Sequence, residues 1–113
     1  MPSTAGLDPD FRPWADYILA VARYYGGPYV ITSAYRTYAD QERLYQRYLA
    51  GESGGLPAAR PGTSAHELGY AVDIAQPGVD PLQDPFLRRL GEWWAGAGGT
   101  WGASDPVHFE WPH

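Results

Sequence analysis

The sequence predicts a small α+β domain, about three helices packed on a mostly antiparallel sheet. Three observations carry that reading. Apolar residues recur at helical spacing in three stretches, three short segments are β-branched or alternate with period two, and the two kinds of element are interleaved as helix–strand–helix–loop–strand–helix–strand. A chain of 113 residues has room for one domain, with five Trp, nine Tyr and three Phe to fill its core.

Residues 1–12 are polar and contain Pro, so they form an N-terminal arm or a short wrap. The first helix spans Pro13 to Tyr25, with Trp14, Tyr17, Ile18, Val21 and Tyr24/Tyr25 as its stripe. Pro13 suits a first helical turn and Gly26-Gly27 supplies the stop. Tyr29 to Ser33 is a strand. The second helix starts at Thr37, with Asp40 three residues on as capping-box partner. Its apolar side is Tyr38, Leu44, Tyr45, Tyr48 and Leu49, and Gly51 ends it. Residues 51–63 are rich in Gly and Pro and form a loop. Tyr70 to Ala75 alternates as a strand, with Val72 and Ile74 on one face and Ala71 and Asp73 on the other. Asp84-Pro85 opens the third helix as N-cap and first turn, and Phe86, Leu87, Leu90, Trp93 and Trp94 are its buried face. A Gly-rich turn over 96–102 leads to a short last strand. There His108 and Glu110 share one face, and Phe109 and Trp111 the other.

Composition excludes several classes of function. Net charge is −5, the basic residues are eight scattered Arg with no Lys, and nucleic acid is not an expected partner. No apolar run reaches the ~20 residues of a membrane span. Met1-Pro2-Ser3-Thr4 begins no secretory signal, so the expectation is synthesis in the cytoplasm and action after release or export. Without Cys, any metal must sit on His and carboxylates. Scarcity of Asn, Cys and Met together with 11 Pro fits heat adaptation or GC-rich codon usage equally.

Three polar clusters carry chemistry. Ser64-Ala65-His66-Glu67 precedes a strand that offers Asp73 seven residues after the His. Asp105-Pro106-Val107-His108 places an acid three residues before a second His. Two imidazoles and a carboxylate suffice for a catalytic zinc site with an open fourth position, leaving Asp105 as a base. Ser33-Ala34-Tyr35-Arg36 brings a guanidinium able to face a developing oxyanion. A Ser-His-Asp triad does not compete, because Ser64 and His66 are near neighbours and no nucleophile elbow is present.

The pattern Ser64-x-His66-x-x-Gly69-x-Ala71-x-Asp73, followed by Asp105-Pro106-x-His108-Phe109-Glu110, resembles the zinc peptidases that cut peptidoglycan stem peptides. These include D-alanyl-D-alanine carboxypeptidases and dipeptidases, and the L-alanyl-D-glutamate endopeptidases of phage endolysins. Ser33-x-x-Arg36, Thr37 and Gln41 fit as well, and the resemblance spans residues 28–111. It implies a Hedgehog/DD-peptidase-like fold and one Zn2+ held by His66, Asp73 and His108. It further implies Asp105 as general base and Arg36 as the group that polarises the scissile carbonyl. Glu67 and Glu110 are candidates to bond the far N–H groups of the imidazoles. Gly69 serves a close backbone approach or a plain turn. Ser64 touches substrate or caps a turn, Trp111 lies near the metal, and His113 has no matching role.

The implied partner is a peptidoglycan stem peptide, acted on by a monomer. A single-domain length and an Asp base point to an L-alanyl-D-glutamate endopeptidase, with a D-alanyl-D-alanine carboxypeptidase or dipeptidase as the alternative. A non-catalytic metal-containing binding module of the same fold has no need of both Asp105 and Arg36, and a local part of a virion or tail is a third possibility.

Overall fold

The computed structural model describes residues 2–113, and Met1 of the expected arm lies outside them. Its elements are helix α1 (Arg12–Tyr25), strand β1 (Val30–Ser33), helix α2 (Tyr38–Leu49), strand β2 (Ala71–Ala75), helix α3 (Pro85–Gly96) and strand β3 (His108–Glu110). Short 3-10 turns cover Ala65–Leu68 and Pro81–Gln83. The sheet order is β1-β2-β3 and both pairings are antiparallel. Three helices and a three-stranded sheet match the predicted class, with strand ends moved by a residue or so.

Strand parity divides the sheet into two faces. Val72, Ile74 and Phe109 point into the core with no exposed surface, where they meet Ile18, Leu19 and Ala22 of α1 and Leu87, Leu90 and Trp94 of α3. Asp73 and His108 are register partners on the opposite face. The β1–β2 register slips between Ile31 and Ser33, which sets Ser33 opposite Asp73. Ser33, Asp73 and His108 therefore form one row across three strands, spaced by ordinary interstrand distances of about 4.8 Å.

The helices differ from expectation in the faces they bury. In α1 the buried positions are Ala15, Ile18, Leu19 and Ala22, while Trp14, Tyr17, Tyr24 and Tyr25 are exposed. Small residues let α1 come close to the sheet, so the broad aromatic stripe is turned to the rim. In α3, Trp93 is exposed and Gly91 takes an inward place under the Trp101 ring. The departure in α2 is larger. Its single buried residue is Gln41, and Tyr38, Tyr48 and Leu49 are exposed. This helix supplies no buried member of the apolar core; it walls a cavity instead.

Residues ahead of α1 form a wrap, the second of the two expected forms. Leu7 and Phe11 are core residues, and the Phe11 ring meets Trp94 and Trp111 at centroid distances of 6.3 and 5.9 Å. The Asp8 N–H donates to the Gly69 carbonyl at 3.0 Å. Gly69 has φ of 76°, and a Cβ there would stand 2.8 Å from the Asp8 nitrogen. Close approach is thus required of Gly69, but toward the N-terminal wrap rather than the sheet.

Candidate active site

His66 is carried on the 3-10 turn that precedes β2. Ser64 caps that turn, its hydroxyl accepting the His66 N–H at 3.2 Å, and Glu67 completes the capping box by accepting the Ser64 N–H. Both Glu67 oxygens also accept the Gly62 N–H, at 2.9 and 3.0 Å. Glu67 therefore organises the loop before the turn and does not bond an imidazole, contrary to expectation. Its place three residues after Ser64 is the capping signal that explains this.

The His66 ring is almost wholly buried, and its Nδ1–H donates to the Ala34 carbonyl at 2.7 Å. A carbonyl only accepts, so Nδ1 carries a proton and Nε2 is the nitrogen that can offer a lone pair when the ring is neutral. The Nε2–H of His108 likewise donates to Glu110 Oε1 at 2.8 Å, so Nδ1 is the nitrogen that can offer a lone pair when the ring is neutral. Glu110 thus plays the supporting role expected of it. The two lone pairs and Asp73 Oδ1 converge in a near-equilateral triangle: His66 Nε2 to Asp73 Oδ1 is 3.0 Å, His108 Nδ1 to Asp73 Oδ1 3.1 Å, and His108 Nδ1 to His66 Nε2 3.2 Å.

Three acceptors pointed at one spot repel unless a cation or proton sits among them. The Asp73 carboxyl is pushed up by burial, but the charge of His66 and hydrogen bonds from His108 and His66 outweigh that and hold it well below the usual carboxylate range. For His108, burial disfavours the charged ring, yet bonds to Asp73 and Glu110 and the charges of Asp73 and Asp105 raise its pKa to about 10. A proton is thus the default occupant, and a divalent cation satisfies all three atoms at once. A tetrahedral ion with bonds of 2.0–2.1 Å needs neighbouring ligand atoms about 3.3 Å apart, close to the triangle found here. These residues fit such an ion.

Asp73 Oδ2 faces away from the triangle and accepts from Arg36 Nη2 at 2.9 Å. Arg36 Nε–H donates to Ser33 Oγ at 2.6 Å and Nη1–H to Gln41 Oε1 at 3.0 Å. Two of its five N–H groups remain for a substrate oxygen. Gln41, fully buried, uses its other end to donate to the Ala59 carbonyl at 2.9 Å, which ties the 51–63 loop to the site.

A cavity of about 550 Å³ opens over this centre. Arg36, Ser64, His66, Asp73, Asp105 and His108 all line it. Asp105 reaches the cavity through a turn in which its carbonyl accepts the His108 N–H at 3.1 Å. Burial and the neighbouring Asp73 charge raise its carboxyl above the ordinary range, partly offset by His108, His66 and Arg36. Trp111 does not belong to the lining. One residue beyond Glu110, it falls on the core side of the alternating strand and packs on Phe11. His113, which has no matching role in the family pattern, stacks on Tyr70 and bonds Glu110 Oε2 at 3.2 Å. Sequence reasoning passed over the far wall, formed by Leu44, Arg47 and Tyr48 of α2 with Glu52, Ser53 and Leu56 of the loop. Leu44 and Tyr48 belong to the apolar side of the second helix, and that stripe gives no sign of facing a cavity.

Fold and site together define a class: an α+β scaffold in which a 3-10 turn and two strands gather His66, Asp73 and His108, a group able to hold a metal ion, beside the Asp105 carboxylate. The chain belongs to the VanY family, described as D-alanyl-D-alanine carboxypeptidase, whose family model matches residues 6–96. The match stops short of Asp105 and His108. Over 75 residues the chain is 33% identical to the peptidoglycan L-alanyl-D-glutamate endopeptidase CwlK of Bacillus subtilis (strain 168), covering 66% of this chain and 45% of that protein. The matched stretch thus spans about half of that relative's length. Among solved structures, the LD-carboxypeptidase LdcB superposes with a TM-score of 0.71 at 21% identity, covering 95% of this chain and 66% of that one. The D,D-pentapeptidase VanY in complex with Zn(II) gives 0.57 at 22% identity, over 100% and 78% of the two chains. VanYB in complex with D-alanine-D-alanine gives 0.59 at 23%, over 100% and 76%. At these identities the solved structures speak for the fold.

Proposed function

We propose that the protein is a zinc-dependent peptidase that hydrolyses peptidoglycan stem peptides, with the L-alanyl-D-glutamate bond as its target. The observation that carries this is the convergence of His66 Nε2, Asp73 Oδ1 and His108 Nδ1, two lone pairs and a carboxylate oxygen, on a cavity wall that also holds Asp105. His66, Asp73 and His108 would hold the ion, kept in orientation by Ala34, Arg36 and Glu110. When bound, the ion supplies Lewis acidity and makes water nucleophilic near neutral pH.

The chain's own residues do the rest. Asp105 takes the proton of the attacking water and returns it to the leaving amine. Burial and the Asp73 charge raise its pKa, which strengthens it as the base of the first transfer. Arg36, fixed on three acceptors, directs its two spare N–H groups at the carbonyl oxygen as negative charge develops there. Ser64, which lines the cavity, acts on substrate through the turn it caps.

The CwlK relationship favours the endopeptidase, and the family description favours the second reading, a D-alanyl-D-alanine carboxypeptidase. Mass spectrometry of purified peptidoglycan digested by the zinc-loaded protein separates them. Release of stem peptides beginning at glutamate is the expected result, and release of single alanine residues would establish the carboxypeptidase instead. A protein that loads zinc and cuts nothing would be a binding module.

A further inference from the structure

The cavity wall is poor in free positive charge. It carries four carboxylates (Glu52, Asp73, Asp105 and Glu110) and two guanidiniums, Arg36 and Arg47. Arg36 is paired with Asp73 and bonded to Ser33 and Gln41, and its two remaining N–H groups are those assigned above to the scissile carbonyl oxygen. Arg47 is different. Exposed in the last turn of α2, it makes no ion pair among the described residues, although its carbonyl accepts the Glu52 N–H at 2.9 Å and Glu52 lines the same wall.

Arg47 also stands where two hollows meet. A second depression of about 450 Å³, lined also by Tyr35 and Arg43, shares Arg36, Leu44 and Arg47 with the main cavity, so these three residues border both hollows. The guanidinium of Arg43 is already paired with Asp40. Among the described residues, Arg47 is the one guanidinium bordering these two hollows without an ion-pair partner, in a chain of net charge −5 into which a peptide bearing carboxylates would be brought. Placement near the C-terminal end of a helix would by itself suit a basic residue. It does not account for the position on the ridge between the hollows.

We propose that Arg47 is a specificity-determining residue that binds a carboxylate of the substrate peptide. The proposal rests on the stem-peptide reading above and adds a recognition element to it. A planar guanidinium pairs with a carboxylate through two parallel N–H bonds, which distinguishes that group from a neutral amide. Two carboxylates of a stem peptide qualify, the one on the γ-linked glutamyl residue and the C-terminal one. The chemistry is shared, and the choice between them is left to the substrates.

Three synthetic stem peptides decide it: one with both carboxylates free, one amidated at the glutamyl carboxylate and one amidated at the C-terminus. With zinc-loaded protein, Arg47→Gln is expected to raise KM for the free peptide about 10- to 100-fold with kcat retained. The effect should vanish on the peptide whose amidation removes the Arg47 partner and persist on the other. Arg47→Lys, which keeps the charge and loses the fork, should fall between. Calorimetric binding of the same peptides to zinc-loaded Asp105→Asn protein, with and without Arg47→Gln, gives a second readout free of turnover. An Arg47→Gln variant that changes nothing, or that weakens all three peptides by one factor, overturns the assignment. If the wild type cuts none of the peptides, the peptidase reading falls, while calorimetry still decides Arg47 on discrimination between free and amidated forms. Absence of binding to any of them overturns both.

Discussion

His66 and His108 reach their roles through the proton each imidazole gives away. His66 donates to Ala34 and His108 to Glu110, so each tautomer is fixed and the remaining nitrogens turn on one point with Asp73. Replacing His66 by Ala removes one corner of that triangle. Metal analysis should find the variant without the one-to-one zinc of the wild type. Asp105 takes no part in the triangle, and Asp105→Asn should therefore keep zinc and fold while losing about 10²–10⁴-fold in rate. Zinc content and peptide cleavage measured on the same preparation check both halves of that statement. As a base, Asp105 must be ionised, and burial beside Asp73 raises its pKa. The acid limb of the kcat/KM profile should titrate with Asp105, and Asp105→Asn should abolish it.

At the scale of elements, α3 shows how one residue serves two structures. Asp84 caps the helix by accepting the Phe86 and Leu87 N–H groups, and its other oxygen accepts the buried Tyr29 hydroxyl at 2.5 Å. Loss of a cap costs about 1 kcal/mol. Asp84→Ala also strands a buried phenol, adding about 1–3 kcal/mol. Chemical denaturation should show a loss well beyond that of a surface cap. Gly91, also in α3, lies so close beneath Trp101 that any Cβ would overlap the indole. Gly91→Ala is expected to cost about 1–3 kcal/mol by overpacking despite the better helix propensity of Ala, a sign that thermal melting can read directly.

Across the whole molecule, the proposed ligands come from a 3-10 turn, the central strand and an edge strand, so an ion held there would tie together segments far apart in sequence. Chelation should lower the melting temperature. The size of the drop should depend on pH through His108, whose pKa in the ion-free protein is raised from 6.5 to about 10. A raised pKa stabilises the fold fully below 6.5 and loses that contribution as pH climbs through 10. Melting curves at pH 6.5, 8 and 9.5 should therefore show the chelated protein weakening while the gap to the zinc-loaded protein widens. An equal gap at all three would detach His108 from the ion.

Legibility in the sequence follows the range of the information. Strand parity needs only neighbouring residues, and it gave Val72 and Ile74 to the core and Asp73 and His108 to the opposite face. The same rule already put Trp111 on the side of Phe109, against its expected place near the metal. Helical stripes mark an amphipathic element without naming what it meets. The stripe of α2 faces a cavity, and that of α1 yields its inner place to Ala15 and Ala22. The partner of Gly69 lies some sixty residues away in the N-terminal wrap, beyond the reach of any local pattern.

That wrap decides what the smallest self-sufficient piece of the chain is. The signature residues all lie within 28–111, and α1 begins at Arg12, so trimming to either boundary looks harmless on paper. Either cut would remove Phe11 from between Trp94 and Trp111, and Leu7 from the core, and would expose the Gly69 carbonyl at the end of the turn that carries His66. The recognisable motif and the independently folding unit are thus different lengths of polypeptide. Transplanting the site into another protein means carrying over the inconspicuous residues 4–11 with it.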